Sequence, residues 1–354
     1  MKVLLVNRKE SNIREEENMK IRKIFFTITL SLFVINSVNA KTNGYLSFKF
    51  LKGQSQSNVF DGTFQEAQLG LIFSGEITPK IAYIAEVKLQ DRTRIEMNQA
   101  LVEVSPSYAF NLKMGLYLVP FGKYNQFNRP HQTVLIIPPM NVEEFFPPCW
   151  RDIGILLEGK VSSFFYSLYL GNGLAESQCL DGGQQFKDNN ANKGRGARIA
   201  WIVDQGFEVA YSYYRGKFDS DNSRNLFLQG FDLTWGTEDF QILSEYTKVN
   251  IENPAEFSRG TAEGYFIQLS VNMGSLQPVV SYQRLEYNDE FHGTGFFGAD
   301  NPGIGISENK SRWAVGMAYL MLDNLRLKLE YDFNREKEFE KNDNIFLCQV
   351  ALSF

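Results

Sequence analysis

Histidine and cysteine are scarce in this chain. Its 354 residues include 2 His, at positions 131 and 292, and 3 Cys, at positions 149, 179 and 348. No pair among them has metal-ligand spacing, so neither a zinc nor an iron site is expected. A hydrolase needs a nucleophile held close to a base. His131 and His292 both fall in long loops with no Ser or Asp pattern around them. No enzyme activity and no cofactor are expected.

Long apolar runs are almost absent too. The one uncharged apolar stretch of note is Ile24–Ile35, twelve residues long and too short to span a bilayer comfortably. It follows Lys20, Arg22 and Lys23 and precedes Val38-Asn39-Ala40, where small residues offer a cleavage site. Residues 1–40 therefore read as an N-terminal extension and an export signal, with Met19 as the start codon and Lys41 as the mature terminus. Removing that segment takes away seven basic and four acidic residues, which leaves 29 basic and 37 acidic residues and a net charge of −8. An acidic chain is a poor partner for nucleic acid.

Helical periodicity is missing from residues 41–354. Alternation of apolar and polar residues takes its place, again and again, with turn residues between. Phe207, Val209, Tyr211 and Tyr213 oppose Glu208, Ala210 and Ser212. Leu325, Leu327, Leu329 and Tyr331 oppose Arg326, Lys328, Glu330 and Asp332. Successive side chains of a strand point to opposite faces, so each segment has an apolar and a polar side. Sixteen such segments run from about residues 44–51 to 344–354. The connections alternate between tight turns, such as Gly75–Pro79, Lys160–Ser162 and Leu322–Asp323, and longer loops, such as 118–150, 172–193 and 287–310.

Short turns on one rim and long loops on the other are the pattern of a transmembrane barrel, and a soluble sandwich has no reason to keep it. Hydrocarbon offers no water to satisfy a strand edge, so a spanning sheet must close on itself. The expected fold is all-β: a transmembrane antiparallel up-and-down β-barrel of 16 strands in the outer membrane of a Gram-negative-type bacterium. Its last strand places Phe346, Cys348, Val350, Leu352 and the terminal Phe354 on one face. Tyr45, Tyr83, Trp201, Trp235, Tyr265, Trp313 and Tyr319 lie near strand ends and read as interfacial girdle residues.

Several landmarks resemble the phosphate-selective porin O and P family of outer-membrane porins. They are Gly115-Leu-Tyr-Leu-Val-Pro-Phe-Gly122, Pro138-Pro139, Trp150-Arg-Asp-Ile-Gly154 and Leu168-Tyr-Leu-Gly-Asn-Gly-Leu174, in that order. The resemblance implies a homotrimer of sixteen-stranded barrels, each with its third loop folded into the lumen. Phosphate-selective members are similar to one another in a dense ladder of arginines and a cluster of lysines. Here strand parity points Lys88, Lys113, Arg198, Arg312, Arg326 and Lys328 inward together with Glu66, Glu86, Glu158, Glu208, Asp232, Glu245, Glu330 and Asp332. Parity is ambiguous for strand 94–104.

The connection Leu118–Trp150 is the longest, and it is rich in Phe, Ile and Pro. Such a loop is either functional or disordered, and its apolar residues need cover. It is expected to fold inward and set the narrowest section, with Lys123, Arg129, His131 and the neighbouring Arg151 as candidate constriction residues. The expected function is passive diffusion of small polar or charged solutes, anions such as phosphate among them, across a lipid-embedded barrel. The alternative is an adhesin or structural barrel without a channel. Cys149 and Cys179 both fall in long loops on one rim, so a disulfide between them is an expectation, with Cys348 left as a lipid-facing thiol.

Overall fold

The computed structural model describes residues 40–91, 94–203, 206–293, 307–337 and 341–354. The expected signal lies outside these residues apart from Ala40, which opens the first strand. Sixteen strands follow one another: β1 (Ala40–Gly53), β2 (Thr63–Thr78), β3 (Ile81–Gln90), β4 (Arg94–Ser107), β5 (Phe110–Leu118), β6 (Arg151–Val161), β7 (Phe164–Gly171) and β8 (Gly194–Val203) form one half. β9 (Phe207–Lys217), β10 (Asn225–Gly236), β11 (Phe240–Ile251), β12 (Gly260–Val271), β13 (Leu276–Asp289), β14 (Lys310–Leu322), β15 (Leu325–Glu336) and β16 (Ile345–Ser353) form the other. Each pairs antiparallel with its neighbours in sequence, and β1 pairs with β16, which closes the barrel.

Closure is made residue by residue, from Tyr45 opposite Ser353 to Gly53 opposite Ile345. Gly44 and Phe354 then exchange backbone bonds of 2.8 and 2.9 Å. The Phe354 ring lies where a Cβ on Gly44 would be, 2.4 Å from its nearest ring carbon. The terminal aromatic thus covers a residue without a side chain at the seam.

The two rims differ as expected. Turns at one rim are tight, and the first is tighter than Gly75–Pro79: β2 runs on to Thr78 and leaves only Pro79 and Lys80 between strands. Trp201, Trp235, Trp313 and Tyr319 are exposed on the outer face. Tyr45 is a correction. It points inward, buried, with its hydroxyl 3.3 Å from Glu86 Oε1 and its ring over Gly70. Its parity follows Ser47 and Lys49, which are also buried on the inner face.

A β-bulge explains the ambiguous parity of β4. Glu86 of β3 opposes Gln99, while Val87 opposes Met97, so Asn98 is the extra residue. A bulge of this kind flips the alternation that follows it. Glu96 and Asn98 face the lumen before it, and Gln99 after it.

Candidate functional site

The connection between β5 and β6 folds into the barrel. It carries two short helices, α1 (Tyr124–Phe127) and α2 (Met140–Phe145). Asn125 ties its base: Nδ2 donates to the carbonyls of Val119 at 2.9 Å and Trp150 at 2.8 Å, and Oδ1 accepts from Trp150 N at 2.8 Å. Above this clasp, Phe121, Phe145, Phe146 and Trp150 form a buried cluster with wall residues Leu228, Leu243, Phe266 and Leu285. Trp150 stacks on Phe146 at 5.6 Å and meets Tyr214 edge-on at 5.0 Å. A buried large apolar side chain is worth roughly 1.5–3 kcal/mol, so this cluster alone gives a strong reason to fold inward. Trp150→Ala is expected to lower stability by about 3–5 kcal/mol, read from urea unfolding in lipid vesicles.

Polar wall groups seat the rest of the loop. Glu245 accepts the backbone N–H of Lys123 at 2.6 Å and that of Tyr124 at 2.5 Å. Glu330 accepts Ile136 N–H, and Gln283 accepts Met140 N–H at 3.0 Å. Leu135 packs on Val279, Ala314 and Ala318, and Ile136 and Ile137 on Leu51 and Leu347. The loop therefore touches the wall from β9 through β16 to β1.

The structure places most of the predicted site residues in charge pairs. Lys123 Nζ lies 2.7 Å from Glu208, which also receives Arg198 at 2.7 Å. Arg198 reaches Asp232 at 2.5 Å. Arg129 grips Glu86 with two nitrogens, at 2.6 and 3.1 Å. Lys88 lies 3.0 Å from Glu96, and Arg151 3.5 Å from the same carboxylate. Lys113 pairs with Glu158 at 2.6 Å, and Lys49 with Glu66 at 2.7 Å. Arg312 lies 3.6 Å from both Asp332 and Glu143. Lys328 is buried and donates to Thr133 Oγ1 at 3.0 Å. Arg326 lines a cavity together with Lys123 and His131. His131 packs against Tyr45 at 5.2 Å, and burial, aided by the nearby Arg129, Arg326 and Lys328, holds its imidazole down to about 4. It carries no charge at neutral pH.

The expected disulfide is a correction. Cys149 and Cys179 are both free thiols, as is Cys348. Cys149 follows Pro147 and Pro148 at the foot of the inward loop, beside the charge field of Arg151, Glu86, Lys88 and Arg129. Cys179 precedes the 3-10 turn Leu180–Gly182 of the β7–β8 connection, where it bonds Asp181.

Cavities lie on either side of the loop in the lumen. One, of about 470 Å³, opens toward the short-turn rim and is lined by Lys123, Phe127, His131, Gln132, Asn324 and Arg326 among others. The other, of about 1140 Å³, lies toward the long-loop rim and is lined by Lys88, Glu96, Asn128, Pro130, Thr133 and Arg151 among others. Among the described residues no cluster of His, Cys, Asp and Glu is suited to a metal ion.

Sequence reasoning missed the partners. Glu86 was legible as an inward acid, yet nothing in the sequence marks it as the anchor of the loop. Asn98 and Gln99 join it at 3.2 and 3.0 Å through the bulge, which parity obscures.

No protein-family model matches this chain, and no curated protein matches it. Solved structures do. OmpT of Vibrio cholerae in its trimer form superposes with a TM-score of 0.64 at 9% identity, over 89% of this chain and 99% of that one. The anion-selective porin from Comamonas acidovorans gives 0.64 at 9% identity, over 89% and 99%. OmpF of Salmonella typhi, in complex with daunomycin, gives 0.63 at 12% identity, over 90% and 98%. At such identities the likeness concerns the fold: this chain has the closed sixteen-stranded barrel of the outer-membrane porins.

Proposed function

We propose that this protein is an outer-membrane porin, a passive channel for small polar and charged solutes with weak charge preference, exported with loss of residues 1–40 and assembled as a homotrimer. The observation that carries the reading is the β5–β6 loop, folded into the lumen with a cavity that carries charged residues on either side. A purely structural or adhesive barrel has no use for an inner loop flanked by charged walls. The trimer follows by analogy with the Vibrio cholerae OmpT structure.

Weak preference follows from the pairing. A pore selects by the charges that face the ion. Here Lys88, Lys113, Lys123, Arg129, Arg151, Arg198 and Arg312 each have an acidic neighbour within 4.0 Å. Their fields largely cancel, and the arginine ladder of phosphate-selective porins has no counterpart. Arg326 lines the lumen cavity toward the short turns and lacks a carboxylate partner among the described residues, which leaves a slight advantage to anions such as phosphate.

Liposome swelling tests the reading. Vesicles holding the purified protein are expected to swell in small sugars and amino acids, more slowly as solute size rises. Vesicles that swell no faster than protein-free ones would contradict it.

A further inference from the structure

The segment Phe127–Thr133 stands between the two lumen cavities. Phe127, His131 and Gln132 line the one toward the short turns, and Asn128, Pro130 and Thr133 line the one toward the long loops. No residue lines both. One end of the segment is tied through the neighbouring Tyr124, whose N–H bonds Glu245 and whose ring meets Phe266 edge-on. The far end is tied to β15, where Lys328 donates to Thr133. Between them Arg129 turns the chain sharply, since its carbonyl accepts from Gln132 N at 2.9 Å and Thr133 N at 3.2 Å.

The middle of the segment is held at the Glu86 carboxylate, beside the packing of His131 on Tyr45 at 5.2 Å. Arg129 makes its two bonds to Glu86, and Asn98, Gln99 and Tyr45 donate to the same group from the wall. A forked guanidinium–carboxylate pair fixes orientation as well as distance. Glu86 is buried and already positioned by three wall donors, so it is a prepared seat rather than a mobile surface acid. Arg129 itself is mostly covered.

We propose that Arg129 and Glu86 form a latch that holds Phe127–Thr133 across the lumen, and that this latch sets how far the pore is open. Glu86 is the positioning residue, acting through Arg129. The proposal rests on the porin reading above. Without the pair, the segment keeps its two end ties but loses its hold on β3, and the passage along β3 and β4 widens.

Single-channel recording of Glu86→Gln, Arg129→Gln and Arg129→Lys in planar bilayers tests this. Both Gln variants are expected to conduct roughly twofold more than the parent, and Arg129→Lys, which retains a cation for Glu86, to return close to the parent value. A far-UV β-sheet spectrum equal to that of the parent establishes that each variant is folded. Arg129 lies in the loop, so its variants keep the barrel wall intact even where Glu86→Gln folds poorly. If Arg129→Gln shifts the zero-current potential in a salt gradient and leaves conductance unchanged, Arg129 is only a charge in the pore and the latch is refuted. If the parent itself forms no channel, the porin reading fails and the latch fails with it.

Discussion

Deleting residues 124–147 is expected to raise single-channel conductance several-fold. The removed segment contains α1, α2 and the chain that separates the two cavities. Conductance through a pore is dominated by its narrowest section, where protein groups stand in for the ion's hydration. The barrel wall does not depend on this segment for its backbone bonding, because every neighbouring strand pair and the β1–β16 closure lie outside it. The closed sheet should therefore survive. The deletion also uncovers wall residues that the loop buries, such as Leu228, Leu243 and Phe266. Some loss of stability is expected alongside the gain in conductance, and the two are separable by recording at low temperature. Unchanged conductance would mean that the loop does not form the constriction.

Arg198→Ala is expected to cost about 3–5 kcal/mol, the range for stranding one partner of a buried ion pair. Arg198 is 2% exposed, and it is held by Asp232 at 2.5 and 3.1 Å and by Glu208 at 2.7 Å. Asp232 is itself 2% exposed, so the substitution leaves a carboxylate without water or cation. Glu208 keeps Lys123, and the loop base stays near its place. Arg198→Lys is expected to recover only part of the loss, because an ammonium cannot reproduce the forked contact to two carboxylates. The double variant Arg198→Ala/Asp232→Asn is expected to be more stable than Arg198→Ala alone. Urea unfolding in vesicles gives all three values. A double variant no more stable than the single one would show that the loss comes from packing, not from the stranded charge.

The fold was written in the sequence in a form that survives reading. A strand has period 2, and a membrane barrel forces that period on every strand, so Phe207–Tyr213 and Leu325–Asp332 announce their faces. Closure follows from the absence of water in hydrocarbon. The inward loop was legible for a related reason: its Phe, Ile and Trp residues needed cover. What lay out of reach was the cover itself. The wall from β10 to β13 is apolar on both faces where the loop rests, with Leu226, Phe227 and Leu228 consecutive, and likewise Ile242 and Leu243. Such a break in alternation, read alone, looks like noise, yet it marks the bed of the loop.

Charges were harder. Parity gives the side of the sheet on which Lys113 or Arg198 lies, but not the partner, because partners come from neighbouring strands or from the loop. The reading of Lys123 and Arg129 as constriction residues did not anticipate Glu208 and Glu86 for that reason. Cys149 and Cys179 show the same limit: a shared rim does not by itself pair two thiols. The bulge at Asn98 shifted one strand's parity by a single residue, which no composition or spacing signal records.

On the porin reading, this barrel conducts passively and with little regard for the sign of the ion. Purified protein in a planar bilayer, with unequal potassium chloride on the two sides, tests it in one experiment. Discrete, ohmic conductance steps are expected, with a zero-current potential near zero, displaced slightly in the sense of anion preference. A silent bilayer, or a potential close to that of an ideally selective membrane, would contradict it.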